Sequence, residues 1–315
     1  TGSSRPPARP AQRPSAARAR PLAASRPAAR PSRRRSRIAG FTAAVILVLA
    51  AGITALALGN RGGAGTSGAS AATSAEGVAA TWVDRQVSHD AIVACDPVMC
   101  ATLHEHGFPA GRLEQINPSS PYPVHARVVV ETPVIRQQFG SSLATNVAPE
   151  SLVTFGSGPR QIAVRIIAPA GAAAYRTLLA KDLQSRRAAA RNLLGSGLVT
   201  ASPAAKEQIL AGQVDMRLLV LLFALAGLKQ QLGIVAFGAP AAGESPDLPL
   251  RSVDLSLGPP GSRATYIRSL QTVVNKQSAP WRSSSDRQIR IHGQPVLQVT
   301  FAAPSPLGLL PGGRP

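Results

Sequence analysis

The segment Ile38–Leu58 runs for 21 residues without a charge, directly after a tail whose only charged side chains are arginines. A helix of that length, at about 1.5 Å per residue, covers the roughly 30 Å of a bilayer's hydrocarbon core. The pattern therefore predicts a single transmembrane helix over 38–58, and that placement constrains everything around it. Residues 1–37 contain 11 Arg and 7 Pro, with no Lys and no acid. Such a stretch cannot bury enough apolar surface to offset its ordering entropy, so it reads as a disordered basic tail. Basic segments are retained on the cytoplasmic side, which predicts a signal-anchor in the cell membrane with an extracytoplasmic domain after it. A cleaved signal peptide is the rival reading, because Ala55-Leu56-Ala57 resembles a cleavage site. The apolar run is longer than a signal core of about 7–15 residues, however, and the charged region before it is too long. The bilayer is thus the first expected partner, its anionic headgroups attracting the arginines. The tail carries no aromatic ring on which a base could stack, which argues against nucleic acid.

Residues 59–75 are rich in Gly, Ser, Thr and Ala and read as a flexible linker of roughly 20–25 Å span. Residues 76–303 have a globular composition and suffice for one α/β domain, or two small ones; residues 304–315 read as a C-terminal tail. The tail 1–37 accounts for +11 of the net charge of +19, leaving +8 on the rest. That excess favours anionic partners with strong salt dependence. Arginine outnumbers lysine by 30 to 4, the skew of a GC-rich genome.

A pattern recurs within 76–303: an apolar run, a capping residue, a proline, then helical periodicity. The copies are Ile92–Cys100 around Asp96-Pro97, Val128–Arg136 around Thr132-Pro133, and a weaker Leu198–Pro203 around Ser202-Pro203. Asp, Thr and Ser are good N-caps, and proline at the first helical position loses no hydrogen bond. Short continuous apolar strands followed by helices predict a largely parallel, Rossmann-like three-layer α/β domain. Leu152–Phe155 and Gln161–Ala168 read as strands joined through Gly156-Ser157-Gly158-Pro159, and Ala172–Leu194 as a long amphipathic helix. Leu218–Leu228 reads as a buried helix capped by Asp215, Gly233–Gly238 as a buried strand, and Leu250–Leu257, with its alternation, as an edge strand. Ile289–His292 and Val296–Phe301 suggest a terminal hairpin around Gly293.

Cys95 precedes the Asp96 cap and Cys100 is the fourth helical position, two places that face each other in the hydrophobic staple, so a disulfide is expected. Glu131 and Arg136 occupy the equivalent positions in the second copy and should pair. Ligands of parallel α/β sheets bind beyond the carboxyl ends of the strands, which nominates Asp96, Thr132, Ser157 and Ser202 as a binding pocket, each with a competing role as a cap or turn residue. Gly156-Ser157-Gly158 precedes a strand rather than a helix and lacks Gly-Lys-Ser/Thr, so it is no phosphate loop. Gly-x-Ser-x-Gly is absent. His104 and His106, two apart, point to different faces of a helix and do not form a metal site. No catalytic residue, metal or cofactor is called for.

The phrases Ala91–Cys100, Val128–Gly140, Ile209–Gly238 and Phe301–Leu310 resemble an uncharacterised actinobacterial family of single-pass membrane proteins with a basic N-terminal tail and an extracytoplasmic α/β domain. Ala211–Phe237 also resembles segments of actinobacterial secreted proteins associated with the cell wall. The resemblance implies topology and location but no activity. The resulting expectation is an extracytoplasmic binding or scaffolding protein of the bacterial envelope, whose partner is an envelope polymer or a membrane protein. The alternatives are a wall- or lipid-linked-sugar enzyme using strand-end acids such as Asp96, and a subunit of a membrane protein assembly.

Overall fold

The computed structural model describes residues 74–309, apart from 229–231, 239–241, 257–262 and 292. In chain order its first half holds α1 (Ala75–Gln86), β1 (Val93–Cys95), α2 (Pro97–Glu105), β2 (Leu113–Gln115), β3 (Val128–Glu131), α3 (Pro133–Phe139), β4 (Glu150–Phe155) and β5 (Ile162–Ile166). The long helix α4 (Ala172–Gly195) leads into β6 (Val199–Ala201), α5 (Pro203–Ala211), α6 (Met216–Ala226), β7 (Leu232–Phe237), β8 (Ser252–Ser256), α7 (Arg263–Asn275), β9 (Ser285–Ile291) and β10 (Gln294–Thr300).

All three strand–cap–proline–helix copies form as their chemistry dictates. Asp96 accepts from the backbone N–H groups of Val98 and Met99, both at 3.0 Å, at the start of α2. The Thr132 hydroxyl caps α3 through Ile135 and the Ser202 hydroxyl caps α5 through Ala205. Asp215 caps α6, accepting from the Arg217 N–H at 2.8 Å. Cys95 and Cys100 form the disulfide, with their Cα atoms 5.3 Å apart. Glu131 and Arg136 form the matching ion pair at 3.1 Å, and Arg165 binds the other Glu131 oxygen.

The sheets correct the expected architecture. There are two among the described residues, and both are mixed. The first has the order β2-β1-β3-β5-β4; β2, β1 and β3 run parallel, while β5 is antiparallel to both β3 and β4. The second has the order β6-β7-β8-β10-β9, with only β6 and β7 parallel. The physical reason is that each sheet is completed by a hairpin, β4–β5 or β9–β10, whose second strand returns beside an earlier strand. A largely parallel Rossmann-like sheet is therefore replaced by two α/β halves of mixed pairing. Strand β8, read as an edge, lies between β7 and β10.

The first sheet is covered on both faces. Helices α1 and α2 pack with Val93, Cys95, Val128, Val130 and Ile162 on one side, while Ile135 of α3 joins Ala94, Val129 and Ile167 on the other. The second sheet has its main core on one face, where α4 to α7 gather around Leu232, Ile234, Val253, Leu255, Leu297 and Val299. The halves are stitched together at the β4 edge, where Thr154 donates to the Gly243 carbonyl and Ser245 to that of Leu152. Gly243 has φ +84°, and a Cβ there would lie 2.5 Å from the Thr154 carbonyl oxygen, so only glycine permits this approach.

A second correction concerns the membrane. Among the described residues no helix is long and apolar enough to cross a bilayer; α6, the most apolar, has 11 residues. As far as those residues go, this corrects the single-pass, transmembrane reading. The segment Ile38–Leu58 that carried it lies outside the described residues, as do the tail 1–37 and the linker up to residue 73. Residues 304–309, expected to be tail, belong to the domain, with Pro304 buried and Leu309 packed on the second core.

Candidate functional site

The four strand-end residues do not make one pocket. Asp96 and Thr132 meet: the Thr132 hydroxyl donates to the second Asp96 carboxylate oxygen, and both residues are buried. Asp96 thereby receives two backbone N–H groups and one hydroxyl, which saturates it as a cap and tie between α2 and α3. Ser157 is an exposed residue of the β4–β5 turn, and Ser202 follows β6, the edge strand of the second sheet. None of the four lines the cavities described next.

The largest hollow described is a cleft of about 570 Å³. Its walls come from the last turn of α1 and the segment after it (Asp84–Ala91), from Arg127 just before β3, from the loop leading into β9, and from the strap Ala302–Pro306 that follows β10. Four guanidinium groups line it, those of Arg85, Arg127, Arg217 and Arg282, against two carboxylates, Asp84 and Asp90. Asp84 is engaged with His89 at 3.2 Å. Arg85, Arg127 and Arg282 are exposed, and no described carboxylate forms an ion pair with them.

Arg217 is different, because it is buried and built in. Its guanidinium clasps Asp215 through two nitrogens, at 3.1 and 2.7 Å, and donates to the Ala302 carbonyl at 2.8 Å. It also stacks over Phe301, 4.9 Å from the ring centroid. Ser305 donates to the same Asp215 carboxylate at 2.6 Å. Burial pushes the Asp215 pKa up, but the Arg217 charge and these hydrogen bonds outweigh it, and the net shift is downward. The strap is held at two further points. Ala303 exchanges backbone bonds with Gln86 and Ser88 beside α1, and the Gly308 N–H reaches Asp182 of α4. Asp182 is paired with Arg186 at 2.8 Å, and Arg186 donates on to the Gly212 carbonyl.

On the other side of the strap lies a small cavity of about 30 Å³, lined by Glu150, Tyr175, Asp247, Arg251, Ser305 and Leu307 among others. Burial raises the Glu150 pKa, with the Asp247 charge adding to it and Arg165 opposing. Burial likewise raises Tyr175 and Asp182. Arg251, its pKa lowered by burial, ties Glu244 at 3.1 Å, and Glu244 also accepts from the Trp82 indole at 3.2 Å. A third hollow of about 230 Å³ lies against the polar side of the second sheet, where Gln298 donates to buried Asp254 at 2.9 Å and Ser252 bonds Thr300.

The chain matches no protein-family model, no curated protein and no solved structure. The residues that sequence reasoning missed are those of the cleft and its support: Arg85, Arg127, Arg217, Arg282, Asp182 and Arg186. A signal was present for one pair. Asp182 and Arg186 are four apart on a helix, a spacing that brings opposite charges together, and they lie on its buried face. The cleft arginines are scattered over nearly two hundred residues, and only the fold collects them.

Proposed function

We propose that this protein is a binding module of an oxidising, extracytoplasmic compartment, and that its ligand sits in the arginine-lined cleft. The observation that carries the reading is the cleft itself. At about 570 Å³ it is within the range of small-molecule sites. Its rear wall is preorganised by the buried Asp215–Arg217 pair and the strap that pair holds. The Cys95–Cys100 bridge supports an oxidising location. Asp96, the acid on which an enzymatic reading rested, has its carboxylate oxygens occupied by capping donors and the Thr132 hydroxyl, an arrangement suited to holding two helices rather than moving protons.

The test is a melting-temperature screen of the full chain against charged and neutral envelope fragments, run in parallel on Ser283→Trp. Ser283 lines the cleft on the loop before β9, so the indole fills the site from a permissive position. A ligand that raises Tm in the wild type and not in the filled variant supports the reading. A shift that persists in Ser283→Trp, or a flat screen, overturns it.

A further inference from the structure

We infer that the cleft takes a phosphate ester with a small organic body, an inference that rests on the cleft being the ligand site. Arg85 comes from α1, Arg127 from the approach to β3 and Arg282 from the loop before β9. They approach from three separate segments, and no described carboxylate pairs with them. Behind them Arg217, itself 6% exposed, is fixed by Asp215 and the Ala302 carbonyl. Guanidinium forks bind both carboxylate and phosphate, but a carboxylate offers two oxygens in one plane. A phosphate directs its oxygens several ways, which suits forks arriving from several segments. Its charge of about −1.5 to −2 as a monoester also suits a lining whose three arginines without a carboxylate partner outnumber its two carboxylates, Arg217 being balanced by Asp215. Much of the remaining wall is small and apolar, with Val87, Ala91, Ala279, Pro280, Ala302 and Pro304, and its one ring, that of His89, is already engaged by Phe108 and Asp84. That surface suits an aliphatic body rather than a base or other planar ring.

The experiment is isothermal titration calorimetry on the full chain, comparing wild type with Arg85→Gln/Arg127→Gln/Arg282→Gln and with Ser283→Trp. The probes are glycerol 3-phosphate, dihexanoyl phosphatidylglycerol below its micelle concentration, succinate and glycerol. The triple variant leaves all the arginines of residues 1–37 in place, so binding by that tail survives it while cleft binding does not. The expected result is one-site binding of a phosphate probe, weakened at least about tenfold in the triple variant and by added salt, with an unchanged Tm. The stronger of the two phosphate probes assigns the ligand to a free ester or to a lipid headgroup. Phosphate binding that is unchanged in the triple variant overturns the inference. Succinate binding more tightly than either phosphate probe, and lost in Ser283→Trp, overturns the phosphate class but leaves the cleft as a binding site. Glycerol bound as tightly as its phosphate, and lost in Ser283→Trp, overturns the phosphate inference and leaves the cleft as a binding site. No heat with any probe overturns the inference, while the broader Tm screen then decides the cleft separately.

Discussion

The two halves solve burial differently. Strands β1 and β3 of the first sheet are buried at every position, as expected where helices cover both faces. Strand β8 of the second sheet alternates, with Val253 and Leu255 in the core and Ser252 and Ser256 on the side of the polar hollow. Asp254 lies on that polar side as well, although it too is buried. The first half keeps its ion-paired buried acid, Glu131, between two arginines that have partial access to water. The second half buries whole ion pairs, Asp182–Arg186 and Asp215–Arg217, with each partner at most 7% exposed. The difference teaches that hydrophobic pattern reports how many faces of a strand are covered, while the polar groups report where the chain is fastened.

The sharpest way to break the comparison is to unpair a buried charge. Arg217→Ala leaves Asp215 without its partner in a buried setting and is expected to cost about 3–5 kcal/mol by urea denaturation. Arg136→Ala in the first half is expected to cost about 1 kcal/mol or less, because its side chain is partly exposed and Glu131 keeps Arg165. Equal costs in the two halves contradict the contrast. Next in size is the disulfide: the Cys95→Ser/Cys100→Ser pair closes no loop and should lose about 2 kcal/mol. Asp96→Ala should cost about 1–2 kcal/mol as a lost cap and leave ligand binding intact. A loss of binding at unchanged stability would return Asp96 to the site. The smallest effect is at Tyr266, whose buried hydroxyl has no hydrogen-bond partner among the described residues. Tyr266→Phe should raise stability by about 0.5–1 kcal/mol.

Acid separates the carboxylates by sign. Asp215, with its folded pKa below the ordinary 3.8, contributes stability present above 3.8 that is lost as pH falls through the lowered value. Glu150, Asp182 and Asp254 are raised, so the folded form takes up their protons first. Their penalty stands above their folded pKa values and is relieved as pH falls toward the ordinary 4.5 and 3.8. Chemical denaturation across this range should show stability rising on mild acidification and falling again below about pH 3.8. Glu150→Gln should flatten the rise.

Local chemistry was legible in the sequence and long-range pairing was not. The Asp96, Thr132, Ser202 and Asp215 caps follow from residue type beside proline or an apolar run, and the Cys95–Cys100 bridge from helix geometry. Both hairpins could be read from their glycines. Their place in a sheet could not, because whether β5 returns beside β3 depends on which surface is left uncovered. The alternation in β8 does not mark an edge, because alternation marks a strand with one apolar side wherever it lies. The nominated strand-end residues do not gather in one place for a related reason. A capping residue next to a second cap ties two helices, and the cleft forms instead from loops, whose sequences carry no period.

The bridge between Val87 and Ala303 has a consequence for how the domain is made. Its two strands of backbone are more than two hundred residues apart, so the cleft's wall is missing throughout synthesis until the strap emerges. A nascent first half can form its sheet and its disulfide early. The cleft appears only with the last strand and the strap, when Arg217 and Asp215 acquire their final partners. A chain cut short before the strap retains every strand of its two sheets and has no finished place for a ligand.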